Sequence, residues 1–592
     1  MTIPNEIKAE VIAVFPDKVK ISVQNIAAFS DGKSIKVGSY LRISDSEDCA
    51  LIAIIENFCI EVIEKASEDE KRRHVIEALP LGIIRDGKFI RGGDTLTIPP
   101  TGVTPASEAD IKKIFEESVE VSKRFTFSTL VSNSAIHVPV DGNRFFNKHI
   151  AVVGSTGAGK SHTIAKIIQT AVAAKNGDYA LNNSHVVIFD IHSEYKTAFP
   201  DANFLDANTL QLPYWLLNSE ELEEILLDTG ERDNYNQSSV FRQLVTENKR
   251  KHNPTAKSVF YDSPLKFKIQ EVLNALHNIK SETVNYKDET RYMIKDDATY
   301  KLVDGKTTAI DGLQLSAQDR LDRYFASRLE FHPTKRESIT NGSYADKSLD
   351  KFFTRFESKV AQDRLDFLFG TAAQTATLEG TLQSLLGYGK TSTNVTVIDL
   401  SGVPFEVLSI TVSLISRLLF EYGYHYKVLR SNAGEPINSD APLLLVYEEA
   451  HKYVPNSDLA RFRASKLSIE RIAKEGRKYG VTLLLSSQRP SEISETIFSQ
   501  CSNFLAMRLT NPNDQSYVAR LLPDTLGNLC DKLPSMGAGE ALLIGESVVM
   551  PSLVKIGPCD PPPSSNDIPY FELWKEEWKN IDFDAIKKTW LK

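Results

Sequence analysis

The chain has 592 residues, too many for one hydrophobic core, so about two to four domains are expected. Hydrophobic and charged contents of 42% and 25% are those of an ordinary globular protein, and no apolar run reaches the length of a membrane span. A net charge of −9 excludes a uniformly basic, nucleic-acid-binding surface, so any such contact must be confined to a channel or patch.

Residues 1–105 alternate apolar and polar positions in short segments. Examples are Glu10–Phe15, Val19–Val23, Lys36–Ile43, Cys49–Ile55 and Thr95–Ile98, broken by turns such as Asp86-Gly87, and together they predict a small N-terminal β-barrel. A helical stretch from Ser107 leads into residues 106–200, the first part of a predicted RecA-like α/β core. Its second part is residues 386–560. Buried strands are predicted at Ile150–Val153, Val186–Phe189, Val395–Ile398, Leu443–Val446, Thr482–Leu485 and Phe504–Met507, the pattern of a parallel sheet. Between the two parts, residues 201–385 are mostly polar and helix-forming, with periodic pieces at Ser219–Leu227, Leu265–Ile279, Ser316–Leu329 and Asp350–Leu365. They read as a helical insertion or as a separate α-domain. Leu408–Tyr424 is apolar but carries Arg417 and Glu421, which suits a buried helix. Pro561–Ser565 reads as a linker to a C-terminal tail, residues 561–592, bearing Trp574, Trp578 and Trp590.

Gly154-Ser155-Thr156-Gly157-Ala158-Gly159-Lys160-Ser161 matches GxxxxGK[ST] in full, after an apolar strand and before a helical run that starts at His162. Such a loop wraps backbone N–H groups around phosphates at a helix N-terminus. These residues with His162 form the predicted ATP-binding set; Lys160 reaches the β- and γ-phosphates and Ser161 supplies a hydroxyl to Mg²⁺. The strand Leu443–Tyr447 runs into Glu448-Glu449, expected as the Mg²⁺-shell carboxylate and the general base. The strand Thr482–Ser487 runs into Gln488, in the place of a γ-phosphate sensor. Glu470–Gly480 is basic, and one of its arginines is a candidate finger into a neighbouring subunit or else part of a solvated face. Asp190, His192 and Glu194 are expected to line the nucleotide pocket rather than hold a metal of their own.

Taken together, Lys148–Ser161, Asp190-x-His192-x-Glu194-Tyr195, Leu212–Trp215, Asp399–Gly402, Glu448-Glu-Ala-His451, Glu475–Gly480 and Ser487–Pro490 resemble the HerA-type hexameric ATPases of the HerA/FtsK group. The resemblance implies a homo-hexamer around a pore and ATP-driven translocation on double-stranded DNA. It also implies a partner nuclease, NurA-like in end resection, or another effector in antiviral defence. By position it makes Arg477 the trans-acting finger and Lys148 a second residue contacting nucleotide across the interface. The basic segment Arg461, Arg463 and Lys466 is a candidate DNA contact facing the pore, or else a solvated helix face. Lys249–His252 and Lys71–His74 read as solvated surface.

The expected activity is therefore ATP hydrolysis driving movement on duplex DNA. The alternatives are a ring scaffold that gates an effector and a conjugation-type ATPase at a membrane. Five dispersed cysteines without a CxxC pair, and an N-terminus with no basic-then-apolar leader, predict a cytoplasmic protein without membrane contact.

Overall fold

The computed structural model describes residues 9–590, apart from 16–17, 25–28, 30–34, 45–48, 67–68, 93–101, 227–233, 296–299, 304–305, 311, 335–337, 390, 438, 458–462, 521–529 and 566–567. At the N-terminus, β1 (Ala9–Val14), β2 (Val19–Val23), β3 (Tyr40–Ile43), β4 (Cys49–Ala66), β5 (Asp69–Arg85), β6 (Lys88–Arg91) and β7 (Val103–Pro105) form one antiparallel sheet. Its order is β1-β2-β5-β4-β3-β7, with β6 paired to β5, and the end strands β1 and β7 approach each other without pairing. The result is a half-barrel. Alternate residues (Val19, Ile21, Leu41, Ile43, Ala53, Ile55) fill its interior, whereas Tyr40, Ile52 and Ile84 face outward onto the next layer. The expected strand Thr95–Ile98 lies outside the described residues.

Helix α1 (Glu108–Phe115) opens with a capping box between Ser107 and Asp110, and Asp110 also receives Arg42 of β3 at 2.8 Å. The half-barrel is thereby tied to the core. That core is a ten-stranded sheet built from β8 (Ser128–Leu130), β9 (His149–Val153), β10 (His185–Asp190), β11 (Asn203–Leu205), β12 (Val395–Asp399), β13 (Leu443–Tyr447), β14 (Val481–Ser487), β15 (Cys501–Ala506), β16 (Glu540–Gly545) and β17 (Ser552–Ile556). The order is β11-β12-β10-β13-β14-β9-β15-β16-β17-β8. The pairings from β11 through β15 are parallel and the last three antiparallel. β9 is buried throughout; Ala151 and Val153 point into one core, Ile150 and Val152 into the other. A strand covered on both faces must read as a continuous apolar run, and this one does.

On one face, α2 (Lys160–Ala173) buries Ile164, Ile167 and Ile168, each contributing roughly 1.5–3 kcal/mol of transfer free energy. The opposite face carries α3 (Ser219–Leu226), α4 (Asn234–His252), α5 (Ile269–Ser281), α6 (Ala317–Ala326), α7 (Asp350–Val360), α8 (Phe405–Asn432) and α9 (Arg463–Glu475). Residues between β11 and β12 share one continuous core with the sheet, through Val272, Phe352 and Phe356 alongside Phe189 and Leu445. They are not purely helical. Thr283–Asn285, Arg291–Tyr292, Leu313–Gln314 and Ile339–Asn341 form a small antiparallel sheet, whose strands are too short to show a period in the sequence.

Helix α8 is buried over Val407–Phe420, and its Arg417 there meets the fully buried Glu221 of α3 at 2.8 Å. Among the described residues no helix is long and apolar enough to cross a membrane. Lys249, expected on the surface, is instead fully buried. Its ammonium donates to the carbonyls of Tyr261 and Ser263, and burial lowers its pKa to about 8. Of the other basic cluster, Arg73 pairs with Glu61 at 2.7 Å, and the side chains of Lys71 and Arg72 lie outside the described residues.

Candidate functional site

Strand order decides where the chemistry sits. β14 lies between β9, which leads into the phosphate loop, and β13, which leads into Glu448-Glu449. All three are parallel, so their C-terminal ends deliver Gly154–Ser161, Glu448-Glu449 and Gln488 to one edge of the sheet. A cleft of about 570 Å³ opens there, within the size range of small-ligand sites. One wall is Thr156, Gly157, Gly159, Lys160, Ser161 and His162; another is His192, Glu194, Glu448, Glu449 and Gln488.

The loop turns because Gly157 and Gly159 take φ of 71° and 98°, the left-handed region where a Cβ is strained. Gly154, Ser155 and Ala158, predicted with the binding set, stand behind the cleft and do not line it. They brace the loop: the Ser155 N–H donates to the Arg508 carbonyl at 2.7 Å, and the Ala158 carbonyl accepts from the Gly539 N–H at 2.9 Å.

Lys160 is 8% exposed. Its Nζ donates to the Gly154 carbonyl at 3.0 Å and stands 4.0 Å from Glu449 Oε1. Burial lowers the lysine pKa, and Glu449, Glu448 and Glu194 pull the other way. Glu448 lies deepest. Burial, then the carboxylates of Asp190 and Glu194, push it up to about 10. One oxygen each of Glu448 and Glu194 is buried without a hydrogen-bond partner. Among the described residues, no group of three or more His, Cys, Asp or Glu side chains is arranged to hold a metal by itself.

Glu449 takes φ 47° and ψ 50°, a strained conformation for a residue with a side chain. Burial raises its pKa, but contacts with His451, Lys160 and Gln488 outweigh that and hold it below the ordinary carboxylate range. The Gln488 N–H faces Glu449 Oε2 at 3.4 Å, and Gln488 Oε1 accepts from the Thr156 hydroxyl at 2.6 Å. Gln488, the Glu449 carboxylate and the phosphate loop are therefore already in contact. Asp190 does not line the cleft; it caps the turn that presents His192 and Glu194, accepting from the backbone N–H groups of His192, Glu194 and Tyr195.

A third wall was not anticipated from sequence. It consists of Ala538-Gly539, Lys555–Cys559 and Ser565. The Asp560 N–H donates to Gln169 of α2, and the carbonyls of Pro561 and Pro562 accept from Gln169 and Thr197. The proline-rich segment read as a linker thus straps the nucleotide side of the core; Gly537-Ala-Gly539 was the one local signal of a close approach. Beyond it, Trp574, Trp578 and Trp590 are exposed.

Other predicted residues lie elsewhere. Arg477 sits in the turn Gly476–Tyr479 just before β14, exposed and outside its own cleft. β14 has seven residues, so at about 3.3 Å each roughly 20 Å separate that turn from Gln488. Lys148 stands on the same edge, before β9, paired with Glu546 at 2.6 Å. Arg463 is exposed at the start of α9; Lys466 is half-buried, with Nζ 3.4 Å from the Ser457 carbonyl. Arg461 lies outside the described residues.

The central domain of helicase HerA matches residues 125–419, which includes the phosphate loop, the strap's partners on α2 and the whole insertion. The chain belongs to the HerA helicase family. A probable helicase of Methanocaldococcus jannaschii is 24% identical over 568 residues, 92% of this chain and 91% of the relative. The DNA double-strand break repair helicase HerA of Sulfolobus acidocaldarius is 25% identical over 503 residues, covering 83% and 79%. Among solved structures, VirB4 of Thermoanaerobacter pseudethanolicus aligns with a TM-score of 0.43 at 12% identity, over 76% of this chain and 99% of that one. As a HerA-family member the chain is an ATP-binding enzyme, an ATPase of helicase type.

Proposed function

We propose that this HerA-family ATPase works as a homo-hexameric ring that moves on double-stranded DNA and delivers it to a nuclease or another effector protein, in end processing or antiviral defence. The observation that carries the ring is the position of Arg477. A cation placed a strand's length from its own cleft can reach a γ-phosphate only in a neighbouring copy. Lys148 on the same edge supports the same reading.

Within one cleft, backbone N–H groups of Thr156, Gly157 and Gly159–Ser161 and the Lys160 ammonium bind the phosphates. The buried, unpartnered oxygens of Glu448 and Glu194, with the Ser161 hydroxyl nearby, fit Mg²⁺, which would offset phosphate charge. Glu448 and Ser161 would hold it. Glu449 accepts a proton from water as the water oxygen bonds to the γ-phosphorus. The bond to the β–γ bridging oxygen breaks, and ADP leaves with that electron pair. Gln488, already beside Glu449 and Thr156, orients the water and reports the γ-phosphate. Arg463 and Lys466, with Arg461, supply the DNA contact.

ATP turnover of size-fractionated protein, with and without duplex DNA at low salt, tests this. A hexamer stimulated by duplex supports the motor. A hexamer that binds no DNA sinks it, and one whose turnover ignores DNA leaves a ring scaffold that gates its effector.

A further inference from the structure

We propose that His451 is the positioning residue of the general base: it holds the Glu449 carboxylate against the end of β14 throughout the ATP cycle. The inference rests on reading Glu449 as the base. A glutamate side chain has three rotatable bonds, and a base must be held to within a fraction of an ångström of the water it deprotonates. The left-handed backbone at Glu449 aims its Cβ and leaves the carboxylate to be fixed by its contacts.

Three groups meet that carboxylate. Lys160 Nζ is 4.0 Å from Oε1, the Gln488 N–H is 3.4 Å from Oε2, and His451 Nδ1 is 3.2 Å from Oε2. Lys160 is committed to phosphate once ATP enters, and the Gln488 contact is long for a hydrogen bond. His451 is the side-chain anchor that nucleotide does not compete for, because it stands behind the base and does not line the cleft.

The ring is itself held. It belongs to the short turn Ala450–Lys452, and Nδ1 also lies 3.1 Å from Ser487 Oγ, which accepts the Arg489 N–H at 2.9 Å. An ionised carboxylate only accepts hydrogen bonds, so Nδ1 carries the hydrogen and shares it between Glu449 Oε2 and Ser487 Oγ. The imidazole therefore couples two strand ends, that of β13 through Glu449 and that of β14 through Ser487. Base and sensor are kept as one unit.

The test uses the full chain, with steady-state ATP turnover, binding of a slowly hydrolysed ATP analogue and thermal melting. For His451→Ala we expect kcat to fall about 10–100-fold, as when other supporting partners of catalytic groups are removed, with KM and analogue affinity within about twofold. His451→Asn, which can place an amide N–H near the Nδ1 position, should recover most of the rate. In a Glu449→Gln background, His451→Ala should cost nothing further, because residues acting as one unit are not additive. Should the alanine variant not fold, His451→Gln, with its donor displaced by one bond, is expected to be slow in its place.

Normal turnover of a folded His451→Ala or His451→Gln variant overturns the proposal. So does a loss that Asn fails to rescue and that tracks analogue affinity. Glu449→Gln at wild-type rate would instead remove the base assignment itself. An inactive Glu449→Gln beside a fully active His451→Ala would remove only the clamp.

Discussion

At the level of single residues, Lys160 and Glu449 separate binding from turnover. On the proposed mechanism Lys160 holds phosphate directly, so Lys160→Ala should lose ATP affinity and turnover together, read by nucleotide titration. On the same mechanism Glu449 acts on the attacking water and not on the nucleotide, so Glu449→Gln should keep affinity within a few-fold while kcat falls at least about 100-fold.

His149 makes a different prediction. It is fully buried: Nε2 lies 2.8 Å from the Ala473 carbonyl, and Nδ1 accepts the Leu483 N–H at 3.1 Å, so the ring is neutral. Burial, chiefly, lowers its pKa from 6.5 to about 4. The unfolded chain therefore binds the extra proton first. The contribution is fully present above pH 6.5 and is lost as pH falls towards 4, on the order of 3 kcal/mol. His149→Gln should flatten that part of the stability curve in denaturant melts at stepped pH; an unchanged slope would refute it.

Among elements, the join between α3 and α8 turns on a buried charge pair. Glu221 is fully buried, and Arg417 donates to both its carboxylate oxygens and to the Leu216 carbonyl. Removing one partner strands the other in a dry interior, so Arg417→Met should cost about 3–5 kcal/mol. Adding Glu221→Leu should restore much of it, a recovery visible in chemical denaturation. A larger loss in the double variant would show that the pair contributes net stability.

Elements also show why reading the chain succeeded unevenly. The six central strands were legible because both their faces are buried and their residues are mostly apolar, and α8 because its first half is rich in buried apolar residues. The edge strands β8 and β11 and the antiparallel β16 and β17 were not. α4 was hidden too: its polar composition masks a buried stripe of Val240, Phe241, Leu244 and Val245, with Lys249 satisfied inside by two carbonyls.

For the whole molecule, the decisive expectation is complementation between subunits. Arg477→Ala and Glu449→Gln proteins should each hydrolyse ATP poorly. Co-assembled at equal amounts, they should regain activity, because some interfaces then pair an intact base with an intact arginine. If each stays inactive when mixed, despite joint assembly, Arg477 does not act across an interface. DNA affinity should fall steeply with added salt, since contact by Arg463 and Lys466 would be to phosphate and carry little sequence preference.

Sequence alone located the phosphate loop, Glu448-Glu449 and Gln488 as the residues that meet at the cleft, because each belongs to a short motif of covalent neighbours. It also determined the parallel core, since doubly buried strands leave an apolar signature. Tertiary structure alone decided the rest. Insertion of β14 between β9 and β13 brings Gln488 onto Glu449 across 39 residues and Ser487 onto His451 across 36. The same strand carries Arg477 to the far edge, and the C-terminal strap closes the third wall from nearly four hundred residues away along the chain. Contacts between distant segments follow from the order in which strands pair, and that order leaves no local trace in composition or period.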